Sequence, residues 1–146
     1  MPLLNYTTSI AVDKTIAEIQ KCLSTHGATG ILTEYDQGVV IALSFGIKFP
    51  DRDLHFRLPC DHQPVLELLK KDRKVPRRLV SKEQALRVAW RIIKDWTEAQ
   101  MAIVETKMVS IEQVFFPYAI TNDGRTVFER VKNSPLLLSS GERASQ

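Results

Sequence analysis

Gly30-Ile31-Leu32-Thr33-Glu34-Tyr35-Asp36-Gln37-Gly38-Val39-Val40-Ile41-Ala42-Leu43-Ser44-Phe45-Gly46-Ile47 is the stretch that decides the fold class. Two runs rich in β-branched and aromatic residues flank Asp36-Gln37-Gly38, a short turn whose glycine accepts positive φ. That pattern predicts a hairpin of Gly30 to Tyr35 with Val39 to Ile47. Asp53 to Leu58 reads as a third strand after the turn Pro50-Asp51-Arg52. In it Leu54, Phe56 and Leu58 alternate with His55 and Arg57, so the sheet has one buried and one wet face, and His55 is expected on the solvent side.

Working outward, Tyr6 to Ile10 is a short β-prone run, and Val12, Ile16, Ile19 and Leu23 then recur at helical spacing. Asp13 or Thr15 is placed to cap that helix, Glu18 stands three beyond Thr15 as in a capping box, and Gly27 is placed to end it in a left-handed conformation. Asp61 and Pro64 suit the start of a short helix, Val65 to Lys71, which runs into a basic linker around Pro76. Ser81 and Gln84 repeat the capping-box pattern, and neither glycine nor proline follows until Pro117. One helix of about 35 residues, roughly 50 Å, would fill that interval. It is longer than one side of a small domain and apolar beyond one stripe. Either it breaks near Lys107 to Ser110, ahead of Pro117, or it packs on a second copy; the expectation is a break, with some self-association. Asn122-Asp123-Gly124 reads as a further turn.

The expected architecture is therefore α+β. A small antiparallel sheet, in the order strand, helix, three strands, is covered on one face by the short and the long helix. Residues 1–131 form a single domain and 132–146 a loose tail. The chain of 146 residues, 44% hydrophobic and 25% charged, has the balance of an ordinary folded domain. Its most apolar run, Gly38 to Ile47, is far short of the roughly 20 residues that span a bilayer as a helix. Met1 to Thr15 lacks the basic start, apolar run and cleavage site of a secretory signal, and Cys22 and Cys60 are too few for a disulfide framework. A cytoplasmic location, with no membrane partner, is expected.

Charge is the most informative feature. Between Lys70 and Lys94 ten basic residues face only Asp72 and Glu83, a local charge of +8 in a chain whose total is +3. Arg87, Arg91 and Lys94 fall at i, i+4 and i+7, one helix face. Lys82 and the linker residues Lys74, Arg77 and Arg78 continue it towards the helix start. Phosphates suit such a strip, and contacts to them position a nucleic acid without reading its sequence. Trp90 lies beside the strip and is a candidate for stacking on a base, against the commoner role of a tryptophan among Ile92, Ile93 and Trp96, which is core. Two other readings satisfy the same residues: a solvated face whose arginines pair with acids, Glu83 with Arg87 and Arg91 with Asp95, and a surface for an acidic protein partner.

Val75-Pro76-Arg77-Arg78, Glu83-Gln84-Ala85, Arg87 to Trp96 and Glu98-Ala99-Gln100 resemble small uncharacterised proteins encoded in bacterial prophages and integrative elements. Thr33 to Asp36, Pro117-Tyr118 and Asp123-Gly124-Arg125 are similar to the same group. The resemblance runs from about Asn5 to Val131. It implies a setting in a mobile element, where DNA metabolism, regulation and counter-defence are frequent tasks, and it implies no catalytic residue.

Other candidate chemistry is thinner. Cys22, His26, Cys60 and His62 would supply a tetrahedral zinc set if they converged, but their spacing is irregular and no metal is expected. Glu34 with Asp36, and Asp51 with Asp53, are paired carboxylates of the kind that holds magnesium, yet both pairs fall at turns, where Asp is favoured for backbone reasons. Pro50-Asp51 followed by Asp72-Arg73-Lys74 faintly resembles a metal-dependent nuclease pattern, with its second half in a linker rather than on the strand such a pattern needs. No nucleophile elbow and no phosphate-cradling glycine loop is present among six glycines. The expectation is a non-catalytic, cofactor-free protein that associates with nucleic acid, with a protein-interaction module as the alternative.

Overall fold

The computed structural model describes residues 2–136, so the expected tail lies outside the described residues from 137 onward; Lys132 to Leu136 form turns. The elements in chain order are α1 (Val12–Thr25), β1 (Ala28–Asp36), β2 (Val39–Lys48), β3 (Asp53–Arg57) and α2 (His62–Lys71). A 3-10 turn (Arg77–Leu79), α3 (Lys82–Glu105), α4 (Ile111–Phe115), a second 3-10 turn (Phe116–Tyr118) and α5 (Val127–Val131) follow. The three strands form one antiparallel sheet in the order β1-β2-β3, so the chain is α+β as its sequence pattern indicates. Among the described residues no helix is long and apolar enough to cross a membrane.

The hairpin forms where Gln37 and Gly38 take φ of 50° and 81°, the doubly positive turn whose twist matches the flanking strands. Its register carries two bulges. Gly30 faces Gly46 while Ala28 faces Ile47, which leaves Thr29 extra in β1; Glu34 faces Ala42 while Tyr35 faces Val40, which leaves Ile41 extra in β2. The second bulge reverses the in-out alternation of β2, so Val40 and Leu43, an odd number of residues apart, are both buried on the helix side, at 2% and 0% exposure.

Onto this face pack Ile16, Ile19 and Leu23 of α1 and Trp90 and Met101 of α3. Trp90 is wholly buried, and its Nε1 donates to the carbonyl of Val40 at 3.1 Å. Phe45, Phe56 and Phe115 form an aromatic cluster with ring centroids 5.3 to 6.0 Å apart. Trp96 extends it edge-on to Phe115 and Tyr118. Each such pair is worth about 0.5–1.5 kcal/mol beyond its burial. A second cluster, Leu69, Val75, Leu79 and Ala85, ties α2 and the linker to the start of α3.

Three local expectations are corrected. Tyr6 to Ile10 is not a strand: residues 4–7 form turns, with Asn5 at φ 64°. The backbone there finds its partners on α3, where the buried Gln84 donates through Nε2 to the carbonyls of Tyr6 and Thr8, each at 2.9 Å. Gln84 therefore completes only half of the expected capping box: Ser81 accepts from its backbone N–H, while its side chain serves the N-terminal segment. In α1 neither Asp13 nor Thr15 caps the start, which falls at Ala11 with no side-chain cap, and Thr15 is buried inside the helix. The long helix breaks where expected, at Thr106 to Ser110, ahead of Pro117. Lys107 turns to φ 65° and Ser110 opens α4 with a complete capping box to Gln113, which returns Phe115 to the core of the same chain.

Gln84 satisfies two otherwise open carbonyls from inside a closed interface. Gln84→Leu is expected to cost about 1–3 kcal/mol and to raise amide hydrogen exchange in residues 5–10 above that of α3. A urea midpoint equal to that of the unsubstituted protein would contradict this role.

Candidate nucleic-acid interface

Folding divides the basic segment into two halves with different fates. In the half carried by α3 the cations are used inside the molecule. The Arg91 guanidinium, 13% exposed, donates to Glu18 Oε2 at 2.5 Å and to Thr15 Oγ1 at 3.3 Å, and so locks α3 to α1. Lys94, 17% exposed, is held by Glu98 at 3.1 Å and Asp95 at 3.7 Å. Arg87 donates from Nε to Gln84 Oε1 at 2.9 Å, and Lys82 lies 3.9 Å from Asp36. The alternative pairs of Glu83 with Arg87 and Arg91 with Asp95 do not form: Arg87 bonds Gln84 of its own helix and Arg91 bonds Glu18 of α1. Trp90 has no accessible surface, so the stacking role is withdrawn: its ring closes the core and its N–H is spent on Val40.

The other half remains on display. Lys70, Lys71, Arg73, Lys74, Arg77 and Arg78 are all exposed. Among the described residues only Lys70 of these has a carboxylate within 4.0 Å, that of Glu67. Lys70 and Lys71 end α2, and two consecutive turns gather the other four beyond them. Val75 N–H donates to Asp72 O at 3.1 Å and Leu79 N–H to Pro76 O at 2.9 Å, and each such closure folds four residues to within about 7 Å. Asp72, the one acid of this stretch, spends a carboxylate oxygen on the Lys74 N–H at 2.9 Å, which shapes the first turn. Val75 and Leu79 anchor the segment from below in the second apolar cluster, so the cations ride on a backbone that is held in place. The candidate interface thus keeps Lys74, Arg77 and Arg78, gains Lys71 and Arg73, and loses Arg87, Trp90, Arg91 and Lys94 to structural duties. Lys82 is exposed but engaged by Asp36.

Cysteine and histidine chemistry is resolved by the same geometry. Among the described residues no group of three His, Cys, Asp or Glu side chains converges to hold a metal ion. Cys22 Sγ lies 4.0 Å from His26 Nδ1, and His26 Nε2 lies 2.5 Å from Glu105, an order that looks like a nucleophile, base and orienting acid. The details oppose a proton transfer from Cys22 to His26. His26 Nδ1 is 2.7 Å from the Cys22 carbonyl, which can only accept, so this nitrogen carries a proton and cannot take one from the thiol. Burial, then the charges of Glu98 and Glu105, push the Cys22 thiol up. Burial, reinforced by Asp61, pushes Cys60 up to about 12. Both shifts disfavour the thiolate.

His26 instead ties the end of α1 to the end of α3. The Cys22 carbonyl first, and Glu105 second, raise its pKa above the ordinary 6.5, while burial opposes them. A raised folded-state pKa stabilises the fold fully below the unfolded value, and that contribution is lost as pH rises through the folded one. The unfolding midpoint is therefore expected to fall from pH 6 to pH 8 by more in the unsubstituted chain than in His26→Gln; parallel profiles would count against the assignment.

No family model matches the chain, and neither curated proteins nor solved structures include a match to it.

Proposed function

We propose that this chain is a non-catalytic accessory protein that associates with nucleic acid by holding phosphates on the Lys71, Arg73, Lys74, Arg77 and Arg78 surface. The observation that carries the reading is that four of these exposed cations share two adjoining turns, that Lys71 ends the helix just before them, and that all five lack an acidic partner among the described residues. Polyanion backbones are the common ligands of such a surface, through counterion release rather than base readout. A setting in a prophage or integrative element rests on the sequence resemblance.

Five contacted phosphates correspond to a log-log salt slope of about −4.5 on duplex DNA. Fluorescence anisotropy with labelled duplex and single-stranded oligonucleotides is expected to show binding that weakens steeply with salt. Charge reversal at Arg73, Lys74, Arg77 and Arg78 is expected to abolish that binding while the fold is kept. Arg91→Ala should do the reverse, with about 1–3 kcal/mol less stability from the lost charged hydrogen bonds and the salt slope unchanged. Equal affinity of the charge-reversed protein, or a slope near zero, defeats the proposal.

One observation favours a second reading. Leu68, 51% exposed, stands beside the cations at a cleft of about 430 Å³ that Pro2, Leu3 and Lys74 also line. An acidic peptide with an apolar anchor suits that combination. A partner captured from lysate that persists after nuclease treatment, and that is lost in Leu68→Asp, would select this reading over the first.

A further inference from the structure

The face of the sheet turned away from α1 and α3 is hollow. A cavity of about 740 Å³ opens there, within the usual size of a small-molecule site. Its shape follows from the register. Gly46 of β2 pairs with Gly30 of β1 on one side and His55 of β3 on the other, and in the next outward-facing row Ser44 pairs with Leu32 and Arg57. Neither neighbouring glycine adds a side chain of its own to the floor, and the space over Gly30 is open. Ser44 lies on this outer face yet is only 7% exposed, which measures how far the floor is recessed. One wall is built from the far end of the chain. Ile120 N–H donates to the His55 carbonyl at 2.8 Å, and Phe56 bridges Ala119, so Ile120 to Asn122 stand along β3. The other wall is Leu32.

Two features make this more than a dent. The Nε of Arg57 is buried and has no hydrogen-bond partner, and no acid among the described residues lies within 4.0 Å of its guanidinium, the charge of Glu129 acting on it only from farther off. A guanidinium that lines a cavity and has no ion-pair partner within 4.0 Å points to an acceptor that enters from outside. The His55 ring, in turn, lies against Gly46: a Cβ at that position would fall 2.9 Å from its Cε1 and Nδ1. The imidazole therefore covers Gly46, and the open part of the floor is Gly30. The acids that line the cavity stand away from Arg57. Asp53 pairs across the ladder with Lys48, and Glu34 is on β1, two strands or about 10 Å from β3.

We propose that this hollow is a binding site for a small organic anion, with its carboxylate or phosphate monoester on Arg57 and a flat, uncharged body over Gly30 against the His55 ring. The site is separate from the cationic turns and does not depend on the nucleic-acid reading.

Amide chemical-shift titrations of the full chain with adenosine monophosphate, benzoate and inorganic phosphate test it. The two ring-bearing anions are expected to shift the signals of Gly30, Ser44, Gly46 and Arg57, and whichever binds more tightly identifies phosphate or carboxylate as the preferred group. Inorganic phosphate, lacking a body, is expected to bind at least tenfold more weakly. Arg57→Gln is expected to weaken binding about ten- to hundredfold, the usual worth of a charged hydrogen bond. Gly30→Ile fills the floor without touching Arg57. No heavy atom lies within 4 Å of a Cβ built there, and isoleucine suits a strand, so this variant is expected to fold and to lose binding even if the arginine substitution disturbs the sheet. The proposal is overturned if no anion shifts these signals, if inorganic phosphate binds as tightly as the others, or if Gly30→Ile binds like the unsubstituted chain.

Discussion

The seating of Trp90 on β2 is the contact around which the remaining parts are placed. A tryptophan buried completely must find an acceptor for its indole N–H, and the carbonyl of Val40 is that acceptor. Val40 is available on the helix side because the extra Ile41 shifts the phase of the strand, so that Val40 and Leu43 both turn inward. With the indole fixed, α3 lies at one height on the sheet. Arg91, one residue on, then meets Glu18 of α1, and Met101, three turns on, reaches the same core. The break after Glu105 completes the closure by sending Phe115 back against Phe45 and Phe56.

This seating also explains why a run of positive charge in sequence is not one surface in space. On α3, Arg91 stands over an acid of α1 and Lys94 over one in its own next turn, where partial burial strengthens the pairing and removes them from competition for phosphate. Those between α2 and α3 stand on turns whose apolar residues, Val75 and Leu79, point inward, which leaves the charged side chains no internal partner to reach. The apolar positions of the linker thus determine which cations stay exposed.

The sheet is asymmetric for a related reason. Its inner face is filled by aromatic and branched side chains from three helices, whereas its outer face carries glycine at two adjoining positions and a short wall from residues 120–122. A recessed floor beside an unpaired guanidinium is an arrangement that packing alone does not require, since residues larger than glycine at position 30 would meet no obstacle.

Local chemistry was legible in the amino-acid sequence. The Gln37-Gly38 turn, the Asp61 and Ser81 caps, the positive φ of Gly27, the wet side of β3 and the interruption before Ser110 all follow from residue types a few positions apart. What depended on distant residues was not legible. Tyr6 to Ile10 has strand-forming composition, yet its carbonyls are claimed by Gln84, more than 70 residues away. Trp90 beside three basic residues looks the same in a helical projection whether it faces water or a bulged strand. The charge of Lys70 to Lys94 was set by the sequence, but its division into structural and displayed halves was decided by the fold. A side chain's ionic partner is chosen by proximity in three dimensions, and only the packing of α1 against α3 brings Glu18 to Arg91 while leaving Arg77 and Arg78 in water.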